Sequence, residues 1–359
     1  MTAAVFALLL AAVAPVELRG GVVIEQPVAE IGPEGVTLGG EAPRVLSWDR
    51  VRAVTGPKAA EAKQYEQIAE DCWRAVTRLE RGDAAMAEPL FERLFALYRA
   101  QEGPTAQVVA EGYLRCLVER NAQLSAVRVW LECVRLARAS GETINAIDET
   151  TLLAPSLPPC WSPSAGLSTI VRTWADLETD DAVTAALRDW CVFAARCESG
   201  ESASPPAADA EAAVHPGVRL VAQLTLAQYG DASQRAAARQ ELAAGLVRDE
   251  GTWREAWRRF AIGRSFLRED DAALRRRGMI ELLHVPARFS STQPYLAGLA
   301  VAEAAQAMME RGELTGAASL RTELERQYAG HPAIDWLRLN AATFSVERPE
   351  PRETEAGAS

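Results

Sequence analysis

The chain has 359 residues, 48% hydrophobic and 24% charged, enough apolar material for a buried core and length for about two domains. A formal net charge of −11 works against sequence-independent binding to nucleic acid, which depends on clustered cations displacing counterions. Lys58 and Lys63 are the only lysines and alanine is abundant, a bias typical of a GC-rich bacterial genome.

Residues 1–14, MTAAVFALLLAAVA, are apolar but fall short of the roughly 20 residues that a membrane span needs. They read as a secretory signal peptide, with Val5 to Val13 as its apolar core and small residues at Ala12 and Ala14 for cleavage. That reading makes the protein exported, either periplasmic or associated with the cell envelope. No lysine or arginine precedes the apolar run and Pro15 follows the cut, so a buried N-terminal strand and a cytoplasmic protein form the alternative. The six cysteines (72, 116, 133, 160, 191 and 197) show no C-x-x-C spacing and read as small buried hydrophobes. If one disulfide forms, the expected pairing is Cys160 with Cys191 or Cys197, since those two lie about 240° apart on one helix.

Residues 15–56 form a β module. The runs VELR, GVVIE, EGVTL, RVLSW and VRAV are short, rich in β-branched residues and separated by glycine turns, which predicts five strands in one small curled sheet. Their order resembles Sm-like or SH3-like mini-barrels, and that resemblance implies a capping module. Pro57 ends the pattern. From Ala59 onward apolar residues recur at three- and four-residue steps, as in Ile68, Cys72, Ala75, Val76 and Leu79.

Helices are predicted near 59–81, 83–100, 105–120, 122–139, 165–177, 180–198, 217–229, 231–248, 252–268, 270–284, 293–311, 313–329 and 332–344. Between the fourth and fifth, LLAPSLPPCWSP (152–163) has too many prolines for a helix. It is expected to run extended and pack Trp161 onto the helices, although Pro155 and Pro158 also fit a P-x-x-P ligand. The polar stretch at 199–214 reads as a flexible linker, which divides the helices into sets at 57–198 and 215–345. The charged tail at 346–359 reads as disordered.

Three segments share one template: ERGDAAMAEPLFERLFALY from Glu80, ERNAQLSAVRVWLECVRLA from Glu119, and ERGELTGAASLRTELERQY from Glu310. Gly82, Asn121 and Gly312 each follow Glu-Arg at a helix end, where the backbone wants a left-handed residue. Ala87, Ala126 and Ala317 come five residues later, small enough for a second helix to lie close to the first. Leu90, Val129 and Leu320, then Leu94, Cys133 and Leu324, continue the inward face. A hairpin of this kind buries its apolar stripe only by stacking on neighbours.

The turn, the alanine after it and the large residue at Phe91 or Trp130 resemble the tetratricopeptide repeat family. YAGHPAIDWLRL resembles the proline-started helix that follows such units, and Ile262, Gly263 and Phe266 resemble the small-residue face of a first helix. The resemblance implies a mainly α fold, a solenoid of helical hairpins. The first two turns lie 39 residues apart (121 minus 82) where the family repeats every 34 or so, and residues 143–260 match only as generic helix pairs.

No catalytic, metal or cofactor constellation emerges from the sequence. His215, His284 and His331 are scattered, and no H-E-x-x-H, G-x-S-x-G, G-x-G-x-x-G or G-x-x-x-x-G-K motif occurs. Asp180-Asp181 and Asp270-Asp271 stand where helices begin and are read as caps. Trp253 to Met279 is the exception in an acidic chain, carrying eight arginines against four acids. Arg254, Arg258, Arg264 and Arg276 are the candidate partner-binding residues, a surface that could grip an acidic peptide or chain terminus. The expected function is a non-catalytic scaffold that binds a peptide or helix of another protein. An enzyme with its site between the β module and the helices, and a self-assembling structural subunit, are the rivals.

Overall fold

The computed structural model describes residues 15–162, 167–207 and 209–346; the expected signal peptide and most of the expected disordered tail lie outside them. The fold is mainly α with a small N-terminal β module. The chain's contacts group it into two units, Met1–Leu157 with Leu177–Ala185, and Pro158–Asp176 with Ala186–Ser359.

In the first unit, six strands replace the expected five: β1 (Val16–Leu18), β2 (Val23–Ile24), β3 (Val28–Gly32), β4 (Gly35–Leu38), β5 (Arg44–Leu46) and β6 (Val51–Val54). They form two antiparallel three-stranded sheets, ordered β2-β1-β6 and β3-β4-β5, not one curled sheet. The unforeseen strand is β3, VAEIG, which leaves Ala29 and Glu30 exposed and so carries no alternating apolar signal. A tight turn pairs Gly32 with Gly35 and commits it to β4. Val16, Val36, Leu38, Leu46, Trp48 and Val51 fill the core of the module.

Short α1 (Ala59–Ala62) and a 3-10 turn at Lys63–Tyr65 interrupt the long first helix that periodicity predicted. Beyond them lie α2 (Glu66–Glu80), α3 (Ala84–Tyr98), α4 (Pro104–Glu119) and α5 (Gln123–Ser140). Each packs on the next, and α2 also touches α4. The β module is tied to this stack by polar bonds: Thr105 Oγ1 donates to the Glu34 carbonyl (2.7 Å) and accepts from the Trp48 backbone N–H (3.0 Å), and the Tyr98 hydroxyl donates to the Pro33 carbonyl (2.7 Å).

The repeated turns share one geometry. Gly82, Asn121 and Gly312 have φ of 78°, 60° and 77°, between α2 and α3, between α4 and α5, and between α13 (Pro294–Glu310) and α14 (Leu314–Gln327). In each, two backbone N–H groups satisfy the carbonyls that the ending helix leaves open: Asp83 to Arg78 and Gly82 to Leu79, Ala122 to Leu117 and Asn121 to Val118, Glu313 to Met308 and Gly312 to Met309. The alanine five residues on opens the next helix by donating to Asp83, Ala122 or Glu313, and Ala87, Ala126 and Ala317 are all buried.

The proline-rich segment, 152–162, runs without regular structure as expected, and Pro158 is buried rather than presented as a ligand. In the second unit Trp161 packs against Trp174 of α6 (Leu167–Ala175), with ring centroids 5.2 Å apart. α7 (Ala182–Glu198) begins in the first unit and continues in the second; an unpredicted short helix, α8 (Ala210–Val214), follows the polar stretch. Then come α9 (Pro216–Tyr229), α10 (Ala232–Gly245), α11 (Trp253–Leu267), α12 (Ala272–Phe289), α13, α14 and α15 (Ala333–Val346).

Contacts alternate along this series. α11 touches α9 and α13 in its own row and α10 and α12 beside it; α13 likewise touches α11 and α15, and α12 and α14. At the α11–α12 crossing a Cβ on Gly263 would lie 3.0 Å from the Gly278 carbonyl, so two glycines let the helices approach closely. All six cysteines are free and five are buried, so the conditional Cys160 pairing is not formed. Burial alone pushes the Cys191 thiol up to about 12, leaving an inert hydrophobe. Among the described residues no helix is long and apolar enough to cross a membrane.

Candidate functional site

The arginine-rich segment Trp253–Met279 spans α11 and the first half of α12, and helix geometry divides its cations between interior and surface. Arg258 and Arg264, two of the four arginines expected on a binding surface, are instead 5% and 8% exposed. Arg254 is half-buried with its guanidinium over the Trp253 ring, 4.8 Å from the centroid, and Arg276 is exposed on α12. The four therefore do not form one face.

Arg264 is the centre of a buried polar cluster. Its Nη2 and Nη1 donate to the two carboxylate oxygens of Glu198 at 3.0 and 3.1 Å, the fork that a planar guanidinium fits. Nη1 also donates to Gln228 Oε1 and to the Tyr229 hydroxyl, both at 2.9 Å, and Nε donates to Glu303 Oε1. The Tyr229 hydroxyl in turn donates to Glu198. One cation thus faces two carboxylates, with α7, α9, α11 and α13 each supplying a member. Glu198 offers one oxygen to each Nη, while Glu303 meets the Nε and Nη2 side of the guanidinium through Oε1 alone. Burial raises the Glu303 carboxyl to about 7, with Glu198 adding like charge and Arg264 opposing both.

This cluster forms one wall of an open cleft of about 400 Å³. Arg264 of α11, Arg268 just past its end, Arg275 of α12 and Arg311 past the end of α13 give it four cations against Glu303 and Glu310. Leu267, Met279, Ala307 and Trp336 of α15 supply apolar surface, so the cleft borders three successive first-row helices. Arg268 lies over the Tyr229 ring at 5.2 Å, and Arg311 is ion-paired to Glu313 at 2.8 Å.

Glu198, Tyr229, Glu303 and Trp336 were not foreseen as members of this site. Glu303 did leave a trace in the sequence: a lone carboxylate in LAVAEAAQA, on a helix otherwise apolar there, needs a buried cation. Glu198 and Tyr229 end ordinary helices and carry no such mark. Of the two acidic pairs read as caps, the second member of each caps: Asp271 accepts from the N–H groups of Ala273 and Leu274, and Asp181 from Thr184, while Asp270 pairs with Arg275. His331 is buried, its Nε2 2.8 Å from the Tyr295 carbonyl, and burial lowers its pKa to about 4.

Among the described residues no group of three histidine, cysteine or acidic side chains could hold a metal ion. In the first unit a cavity of about 180 Å³ between β6 and α1–α2 has Arg52, Lys63 and Glu66 as its charged lining. Comparison with protein-family models, curated proteins and solved structures finds no match for the chain.

Proposed function

We propose that the protein is a non-catalytic scaffold that holds a peptide or helix of a partner protein, using the cleft beside Arg264. The observation that carries this reading is the composition of the cleft: four arginines against two glutamates, bordered by Leu267, Met279 and Trp336, on a stack of helical hairpins. Arg264 is matched by Glu198 and Glu303, so the cations that favour an acidic segment are Arg268, Arg275 and Arg311, the last two also paired with Asp270 and Glu313. The apolar border adds a place for one large side chain of that segment. Tetratricopeptide-like hairpins fit this job, and fold-level likeness supplies only its class.

Display selection of random peptides against the purified chain tests the proposal. Acidic sequences carrying an aromatic or aliphatic anchor should be enriched, and Arg268→Glu with Arg311→Glu should abolish their binding while leaving the thermal transition in place. Failure to enrich any sequence, or enrichment indifferent to both reversals, would remove the cleft as the partner site.

A further inference from the structure

We infer that a second cavity, between α9, α10 and the start of α11, is an oxyanion-binding site in which Arg219, Arg248 and Arg258 hold a carboxylate or phosphate group. The cavity measures about 370 Å³, within the usual range for small-ligand pockets, and shares no lining residue with the cleft beside Arg264. Pro216, Leu220 and Ala244 line it besides the arginines.

Charge in this cavity is not balanced by the protein. Asp249 alone serves two guanidiniums: its Oδ2 accepts from Arg258 Nε at 2.7 Å, and its Oδ1 from Arg248 Nε at 3.2 Å. Glu241, the one carboxylate on the lining, accepts from Gln223 Nε2. Arg219 is exposed; its backbone N–H donates to the His215 carbonyl, but its guanidinium makes no ion pair or hydrogen bond among the described residues.

Arg258 gives the cavity a built wall. Its side chain is 6% exposed, yet only Nε is bonded, so Nη1 and Nη2 have donors to spare. An arginine cannot escape such a position by losing its proton, so the spare donors, which face the cavity, are met by water or by an anion that enters it. Gly245 makes room for the guanidinium: a Cβ there would lie 2.4 Å from Arg258 Cζ. An anion bridging Arg258, Arg248 and Arg219 would use the spare donors and neutralise the surplus charge.

Isothermal titration calorimetry on the full chain at low ionic strength tests this, with inorganic phosphate, glutarate and a tetraglutamate peptide as separate titrants. The three arms distinguish free phosphate, a free carboxylate and a peptide-borne carboxylate. At least one should bind with millimolar or tighter affinity. Arg219→Glu, whose side chain has no bond to lose, should weaken it roughly tenfold or more. Gly245→Ala should weaken it as well by displacing Arg258, and Arg311→Glu, in the other cleft, should leave it unchanged. No heat from any titrant up to roughly 10 mM would overturn the inference. Equal affinity in folded Arg219→Glu would overturn it too, and that result would not bear on peptide binding at the Arg264 cleft.

Discussion

Arg264 grips Glu198 through two parallel hydrogen bonds, 3.0 and 3.1 Å long, joining the end of α7 to the last turn of α11 with both side chains more than nine-tenths buried. Removing the guanidinium strands Glu198 and Glu303 in the interior without a cation. Arg264→Met should therefore destabilise the protein by roughly 3–5 kcal/mol in chemical denaturation. The same change combined with Glu198→Gln and Glu303→Gln should recover much of that loss, since no charge is then left buried.

Glu303 makes stability depend on pH in a direction opposite to most carboxylates. Its folded pKa is raised to about 7 from an ordinary 4.5, so the folded state holds a proton that the unfolded chain gives up. The contribution is fully present below about 4.5, falls as pH rises toward 7, and is flat above. A shift of that size is worth roughly 3 kcal/mol. Denaturation midpoints of wild type and Glu303→Gln between pH 4.5 and 8 should diverge with rising pH, the variant becoming the more stable.

At the repeated turns the cost of a side chain is set by backbone alone, because nothing lies within 4 Å of a Cβ built on Gly82 or Gly312. Gly82→Ala and Gly312→Ala should each cost about 1–2 kcal/mol, the penalty for a left-handed L-residue. Asn121→Gly, at φ 60°, should be neutral or stabilising by a few tenths of a kcal/mol. Thermal melts of the three variants read the difference.

Gly112 on α4 faces Phe91 on α3, and a Cβ there would come 2.2 Å from the ring. Gly112→Ala should cost about 1–3 kcal/mol through overpacking, despite alanine's better helix propensity. Pairing it with Phe91→Leu should return part of the loss, a coupling that a double-mutant cycle measures.

Much of the fold was legible in the sequence because local chemistry decided it. The left-handed positions at Gly82, Asn121 and Gly312 were marked by residue type, and the helix caps by Asp181 and Asp271. β3 was hidden because its partner is chosen by a turn, while its own side chains are largely exposed. The candidate site was legible only as an excess of arginine. Which cations turned inward depended on carboxylates brought from far along the chain, Glu198 and Glu303 to Arg264. The exception was local: Asp249, nine residues before Arg258, takes that guanidinium into the interior.

Hydrogen exchange on the full chain, with and without an acidic peptide obtained by selection, tests the scaffold reading most directly. Slowed exchange should be confined to α11–α13 and α15 around Arg268, Arg275, Arg311 and Trp336, with no change in the β module. Protection appearing only at the cavity between β6 and α1–α2, or nowhere in the helical stack, would contradict it.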